Sequence, residues 1–165
     1  MGKHCYLLAL GSNMRHHRHG RPRDVLRAAI ASLEDCNVQV GRRSPIIHTA
    51  PVGRSRRRFA NAAITIQTNL APPDMLTSLQ EIEWRFGRRG LGQRWRARVL
   101  DLDIVLWSGG TWASPGLVIP HVSFRERGFV LRPASAIASD WRDPITGLTV
   151  RNLSSRLTSR RRMPR

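Results

Sequence analysis

The stretch "RWRARVLDLDIVLW", residues 94–107, decides how the chain reads. Three arginines, Arg94, Arg96 and Arg98, lead into an aliphatic run that holds Asp101 and Asp103. Strand residues two apart point the same way. The pattern therefore predicts a strand over 99–107 with Asp101 and Asp103 on one face, beside Val99 and Val105. Leu100, Leu102, Ile104 and Leu106 fill the other, core-facing side. At strand rise the two acidic Cα atoms lie about 7 Å apart. Carboxylates so spaced converge on one or two divalent cations, and Mg2+ suits a pair of carboxylates completed by phosphate oxygens and water. The same spacing also fits a solvent-facing acidic pair, or two acids paired with nearby arginines. Burying either carboxylate uncompensated is costly.

The flanking sequence supplies the rest of a sheet. Residues 5–10, "CYLLAL", read as a buried strand ending at Gly11-Ser12-Asn13. "MRHHRHGRP" reads as a solvated loop, its three histidines set among arginines that repel a cation. Pro22 opens a helix with Val25, Leu26, Ala29, Ile30 and Leu33 on one face, to about Glu34. Residues 38–50 are strand-like but interrupted by Pro45. Residues 59–70 alternate as a strand, and Pro72-Pro73 start a helix striped by Met75, Leu76, Leu79, Ile82 and Phe86, with Gly87 as its cap. After the 99–107 strand, Gly109-Gly110 predicts a hairpin turn leading to "LVIPH", and a helical segment over 123–138 is expected to break near Pro133.

The first six elements run β-α-β-β-α-β, which places the chain in the α+β class with a ferredoxin-like sheet. No repeat, linker or second core divides it. One domain over 1–158 and a basic, mobile tail over 159–165 are expected.

Composition narrows the function. The chain has 165 residues, 41% hydrophobic, which suits a folded domain rather than a disordered chain. No run approaches the ~20 apolar residues that span a bilayer. The N-terminal apolar run reads as a strand rather than a signal sequence. Cys5 and Cys36 are not spaced as metal ligands and read as reduced thiols of a cytoplasmic protein, and with no long apolar surface stripe left unassigned a monomer is expected. Net charge is +17, carried almost wholly by arginine because Lys3 is the single lysine. That charge predicts weak, salt-dependent, non-specific nucleic-acid binding, or simply a solvated basic face. Arginine forks also match phosphate oxygens, and "RRGLGQRWRAR" leads directly into the acidic strand. Acids for a metal beside arginines for phosphates is what phosphoryl transfer requires. No phosphate-binding loop of the G-x-x-x-x-G-K-[ST] type and no "HRD" or "DFG" set is present.

The segments "LALGSN" (8–13), "TAPVG" (49–53), "FANAAI" (59–64), "QEIEWRFGR" (80–88), "RWRARVLDLDI" (94–104), "IPH" (119–121) and "RGFVLRPASAIA" (127–138) together resemble the 6-hydroxymethyl-7,8-dihydropterin pyrophosphokinase family. The resemblance implies an α/β/α sandwich on a ferredoxin-like sheet, and diphosphate transfer from ATP to the hydroxymethyl group of the pterin, with release of AMP. It implies that Asp101 and Asp103 hold two Mg2+ ions, and that Arg88 and Arg98 engage the triphosphate and assist transfer. Gln80, Glu83, Arg94, Trp95, Ile104, His121 and Arg127 fall on nucleotide-site positions. Phe59 and Phe129 match the two stacking aromatics of the pterin site, completed by Asn61, Thr49, Ala50 and Val52. The chain departs from the family pattern at Ala50, Arg96, Ala97, Gly116, Val118 and Val122. Two rivals remain at this stage: a nucleic-acid-binding module on the same sheet, and a catalytically weakened relative that only binds pterin or nucleotide.

Overall fold

The computed structural model describes residues 2–50, 57–87 and 99–162. Its elements are β1 (His4–Ser12), α1 (Pro22–Glu34), β2 (Gln39–Arg43), β3 (Ile47–Thr49), β4 (Phe59–Thr68), α2 (Pro72–Arg85), β5 (Asp101–Trp107), β6 (Trp112–Ser114), β7 (Leu117–Ile119), a 3-10 turn (Phe124–Glu126), α3 (Gly128–Ile137) and α4 (Val150–Arg162). The five-stranded sheet runs β2-β4-β1-β5, with β3 also pairing with β4. The described pairings are antiparallel. That order is the ferredoxin-like arrangement, its outer strand split into β2 and β3 around Pro45, which has no N–H to give a ladder.

Alternation along β1 builds three layers. Tyr6, Leu8 and Leu10 pack with Val25, Leu26, Ala29, Ile30 and Leu33 of α1 and Met75, Leu79 and Ile82 of α2. Leu7 and Ala9 face the other way, against Val130, Leu131, Ala134 and Ile137 of α3 and Val150 and Leu153 of α4. Helix α1 starts at Pro22, where a missing N–H costs nothing, and Asp24 in its first turn accepts the Arg21 N–H at 3.2 Å. Helix α2 ends at Gly87, whose φ of 100° is the left-handed conformation glycine supplies without strain.

Four features differ from the sequence pattern. First, β5 does not alternate throughout. Leu7 pairs with Leu106 and Leu8 with Ile104, so Val105 is an extra residue in a β-bulge. Leu102 and Ile104 pack towards α1 and α2 as expected, but Leu106 joins the α3 side beside Val105, and Trp107 returns to the α1 side. Val99 precedes the strand and also packs on the α1 side, not with the acids. Second, Pro133 sits inside α3 without ending it; the break falls at Arg127, between the 3-10 turn and α3. Third, Gly110 follows a turn that leads into β6, and the hairpin to "LVI" turns at Pro115-Gly116, where Gly116 has a φ of 80°. Fourth, His16 is buried rather than solvated. Its Nδ1 accepts the N–H groups of Arg18 and His19, both at 3.1 Å, and its ring lies 5.9 Å from that of Phe86.

Helix α4 continues to Arg162, past the expected domain edge at 158. It is tied down from before its start. Asp143, fully buried, accepts two hydrogen bonds from Arg125, at 2.7 and 2.8 Å, one from Thr146 Oγ1 at 2.6 Å and one from the Ile145 N–H at 3.1 Å. Burial pushes the Asp143 carboxyl up, but the bonds from Arg125, Thr146 and Ile145 outweigh it and hold the group down at about 2.

Candidate active site

The strand register assembles the site. Gly11 pairs with Asn61 on one side and with Asp101 on the other, and Ile47 pairs with Asn61 in turn. Residues 47, 61, 11 and 101 therefore form one rung across four strands. Paired residues share a face. Asp103 pairs with Ala9, which packs on the α3 side, so both acids and Asn61 project towards α3. Thr49 pairs with Phe59 one step along the same face.

Asn61 is buried, and its Nδ2 donates to Thr49 Oγ1 at 2.8 Å. This bond fixes the amide and leaves its Oδ1 directed towards Gly11, where a Cβ would lie 3.3 Å from it. Glycine at this rung keeps the space between the amide and the acids clear. Phe59 is half-buried at the start of β4. Phe129 lies in the first turn of α3, which packs over β3 and β4, and the Arg127 guanidinium sits 5.8 Å from its ring centroid. Ala50 is exposed just after β3. Next to the rung, Asn13 is buried and its Oδ1 has no partner among the described residues. No expectation from sequence had marked that atom.

The acids lie on an edge strand. Among the described residues β5 pairs in the sheet with β1 alone, so alternate backbone groups point outward. The Leu102 N–H, between the two acids, is taken by Glu83 Oε1 at 2.8 Å. Glu83 is itself buried on α2. A carboxylate sequestered there pins the acidic strand to the helix. The backbone of Ile104, on the same parity, faces the same outer edge. Gln80, one turn back on α2, lines a shallow outward depression of about 390 Å3 with Trp84.

His121 closes the other side. Its N–H donates to Val105 O at 3.1 Å, which anchors the segment after β7 to the bulge. Its Nδ1 accepts the Ser123 N–H at 3.2 Å, so in the neutral ring the proton resides on Nε2. That Nε2 faces Asp103 Oδ2 at 4.0 Å. Burial, aided by the Arg127 charge and opposed by Asp103, holds the imidazole below its ordinary range. The ring is thus a neutral donor aimed across the mouth of the acid pair.

Asp103 is 45% exposed and Asp101 is also partly exposed. Among the described residues no third His, Cys, Asp or Glu joins them in a metal-binding group. Two hard oxygen ligands with room for more fit Mg2+, which keeps waters and takes substrate phosphate oxygens. Arg88, Arg94, Trp95, Arg98 and Val52 lie outside the described residues. The structure thus brings together Asp101, Asp103, His121, Asn61, Thr49 and Phe59 on or beside one sheet face, with Arg127 and Phe129 at the start of α3, while the Ile104 side chain packs on the opposite face and Gln80 and Glu83 stand on α2.

Comparison with known proteins identifies relatives of the chain by sequence and by fold. A family model described as 7,8-dihydro-6-hydroxymethylpterin-pyrophosphokinase (HPPK) matches residues 7–139. The 2-amino-4-hydroxy-6-hydroxymethyldihydropteridine pyrophosphokinase of Synechocystis is 34% identical over 148 residues, covering 89% of this chain and 73% of that protein. Its Pseudomonas aeruginosa counterpart is 39% identical over 140 residues, covering 83% and 82%. The folate synthesis bifunctional protein of Arabidopsis thaliana is 38% identical over 128 residues, which cover 77% of this chain but 25% of that protein. Among solved structures, Plasmodium falciparum HPPK-DHPS with STZ-DHP superposes with a TM-score of 0.75 at 14% identity, over 96% of this chain and 44% of that one. The chain spans less than half of that larger protein, and at such identity the likeness speaks for the fold. With the family model covering most of its length, the chain belongs to the 7,8-dihydro-6-hydroxymethylpterin-pyrophosphokinase family.

Proposed function

We propose that the protein transfers diphosphate from ATP to the hydroxymethyl group of 6-hydroxymethyl-7,8-dihydropterin, giving the pterin diphosphate and AMP. One observation carries the reading: Asn61, Gly11 and Asp101 share a single rung of the sheet. An amide suited to a heterocycle and a carboxylate suited to a metal-bound phosphate chain are thus held side by side by backbone pairing.

The residues divide the work. Asn61, oriented by Thr49, offers in-plane hydrogen bonds to the pterin, and Phe59 and Phe129 supply apolar faces for its ring. The outer backbone edge at Ile104 reads the nucleotide base. His121 Nε2 and Arg127 present donors to phosphate oxygens. Asp101 and Asp103 would hold Mg2+, which when bound would neutralise phosphate charge and favour loss of the alcohol proton. Glu83 holds the strand edge on which the acids depend. Arg88 and Arg98 complete the phosphate contacts, and Arg94 and Trp95 the nucleotide contacts, by resemblance to the family. Positioning and charge neutralisation do the work, with no covalent nucleophile from the protein.

The test is AMP release from ATP and hydroxymethyldihydropterin by the purified chain, with and without Mg2+. Asp101→Asn, which keeps the side chain's size, is expected to lower turnover about a hundred- to a thousandfold, the loss when a transition-state contact is removed, with unchanged thermal stability. Turnover within tenfold of the parent would refute the role given to Asp101.

A further inference from the structure

The opposite face of the sheet carries a second concavity. His48 pairs with Ala60, and Ala60 packs on the α1 side, so His48 points away from the rung that holds Asn61. There it helps line a groove of about 650 Å3 between α1 and the split outer strand. Ile30 and Ile46 form part of its floor, and Arg23, Arg27, Arg43 and His48 line it as well. Arg23 and Arg27 are one helical turn apart and so stand on one side of α1.

Arg27 and Arg43 are held in exposed surface ion pairs. Arg27 meets Asp24 at 3.6 Å with the two side chains 59% and 42% exposed, and Arg43 pairs with an exposed Glu34. Ion pairs this exposed hold their partners weakly. Such pairs can exchange a carboxylate for a phosphate, which a guanidinium fork binds in bidentate fashion. The volume lies within the ~300–1,000 Å3 range of small-molecule sites. Among the described residues lining the groove, no Phe, Tyr or Trp offers a stacking platform of the kind that single-stranded nucleic acid uses.

We propose that this groove is a separate binding site for an organic phosphate of nucleotide size, its body on the aliphatic floor and its phosphates on the arginine rim. It lies on the α1 side of the sheet and the acid pair on the α3 side, so both can be occupied at once. The inference is independent of the reaction proposed for the acidic face.

ADP is the probe, added to the full 15N-labelled chain in excess EDTA so that Asp101 and Asp103 repel its phosphates. Saturable amide shifts at Arg27, Ile30, Arg43, Ile46 and His48 are expected. The double variant Arg23→Glu/Arg43→Glu should weaken that binding at least tenfold, about 1.4 kcal/mol, while amide signals away from the groove keep their parental positions and so report an intact fold, and Mg2+-dependent AMP release stays unchanged. Shifts confined to 101–104 and His121, or unsaturable shifts spread over α4 and other basic surfaces, would overturn the proposal. So would an oligouridine that binds the same groove a hundredfold tighter than ADP, which would assign the surface to nucleic acid.

Discussion

Glu83 offers the sharpest test of how the acidic strand is held. Its Oε1 accepts the Leu102 N–H at 2.8 Å, at a helix position only 4% exposed. Glu83→Ala removes a charge-assisted acceptor and strands a buried donor, each worth about 1–3 kcal/mol. Because those figures describe overlapping parts of one loss, about 3 kcal/mol is expected. Glu83→Gln keeps an acceptor oxygen at the same reach and should lose about 1 kcal/mol. Urea unfolding followed by fluorescence measures both. In kinetics, Glu83→Ala should raise the Mg2+ and ATP concentrations needed for half-maximal rate, because the strand bearing Asp101 and Asp103 loses its anchor. Pterin KM should hold steady, since Asn61 and Thr49 take their geometry from β3 and β4. An alanine variant with the parental unfolding midpoint would refute the anchoring argument. A glutamine variant as damaged as alanine would show that charge, not the accepted hydrogen bond, is what Glu83 contributes.

Other perturbations have equally defined outcomes. Asp143→Ala leaves Arg125 partly buried without its carboxylate, and should cost about 3–5 kcal/mol in thermal or chemical unfolding. The same group sets an acid limit. Its folded pKa is depressed to about 2 against ~3.9 unfolded, so its stabilisation is complete above about pH 4 and disappears as pH falls towards 2; Asp143→Asn should flatten that part of the stability-pH curve. Gly11→Ala places a Cβ 3.3 Å from Asn61 Oδ1 and should raise pterin KM about tenfold, with a smaller effect on ATP, in steady-state assays. Deleting Val105 removes the extra residue and gives β5 strict alternation, with Ile104 and Trp107 still on the α1 side and Leu106 still on the α3 side. The purified variant should keep a cooperative melt, and loss of cooperative unfolding would contradict the bulge register.

Much of this architecture was legible where a residue type imposes its geometry. Pro22 and Pro72 mark helix starts, Gly87 marks a helix end, and Pro45 splits the outer strand. The apolar stripes of α1 and α2 point to the core as read. Asp101, Asp103, Asn61 and Thr49 stand out in the sequence because the motifs that contain them are short and ordered, and the strand register sets them on one face of the sheet. What stayed hidden depends on tertiary context. Nothing in "DIVLW" distinguishes a bulged Val105 from a regular one, since the five residues are compatible with either register. Pro133 is tolerated inside α3 because it is buried with the helix against the sheet, and burial overrides local preference. Helix α4 was missed because Val150, Leu153 and Leu157 are diluted by arginine and serine, and their shared face is visible only once β4 and α3 are in place. The histidine tract misled for a related reason: His16 is drawn inward by two backbone donors, a local arrangement that composition does not encode.

The extra residue in β5 divides the strand into two segments of independent phase. Ahead of it, rotation about the strand axis is dictated by chemistry, which needs two carboxylates outward and two aliphatic neighbours inward. Beyond it, rotation is dictated by the distant aromatic cluster, where Trp107 stacks on Tyr6 at 6.5 Å and meets Trp112 edge-on at 5.9 Å. An uninterrupted strand would force one compromise on both ends. With the phase broken, substitutions around the tryptophans can accumulate without turning the acids away from their ligands, so the reactive end of the molecule is insulated from drift at the other.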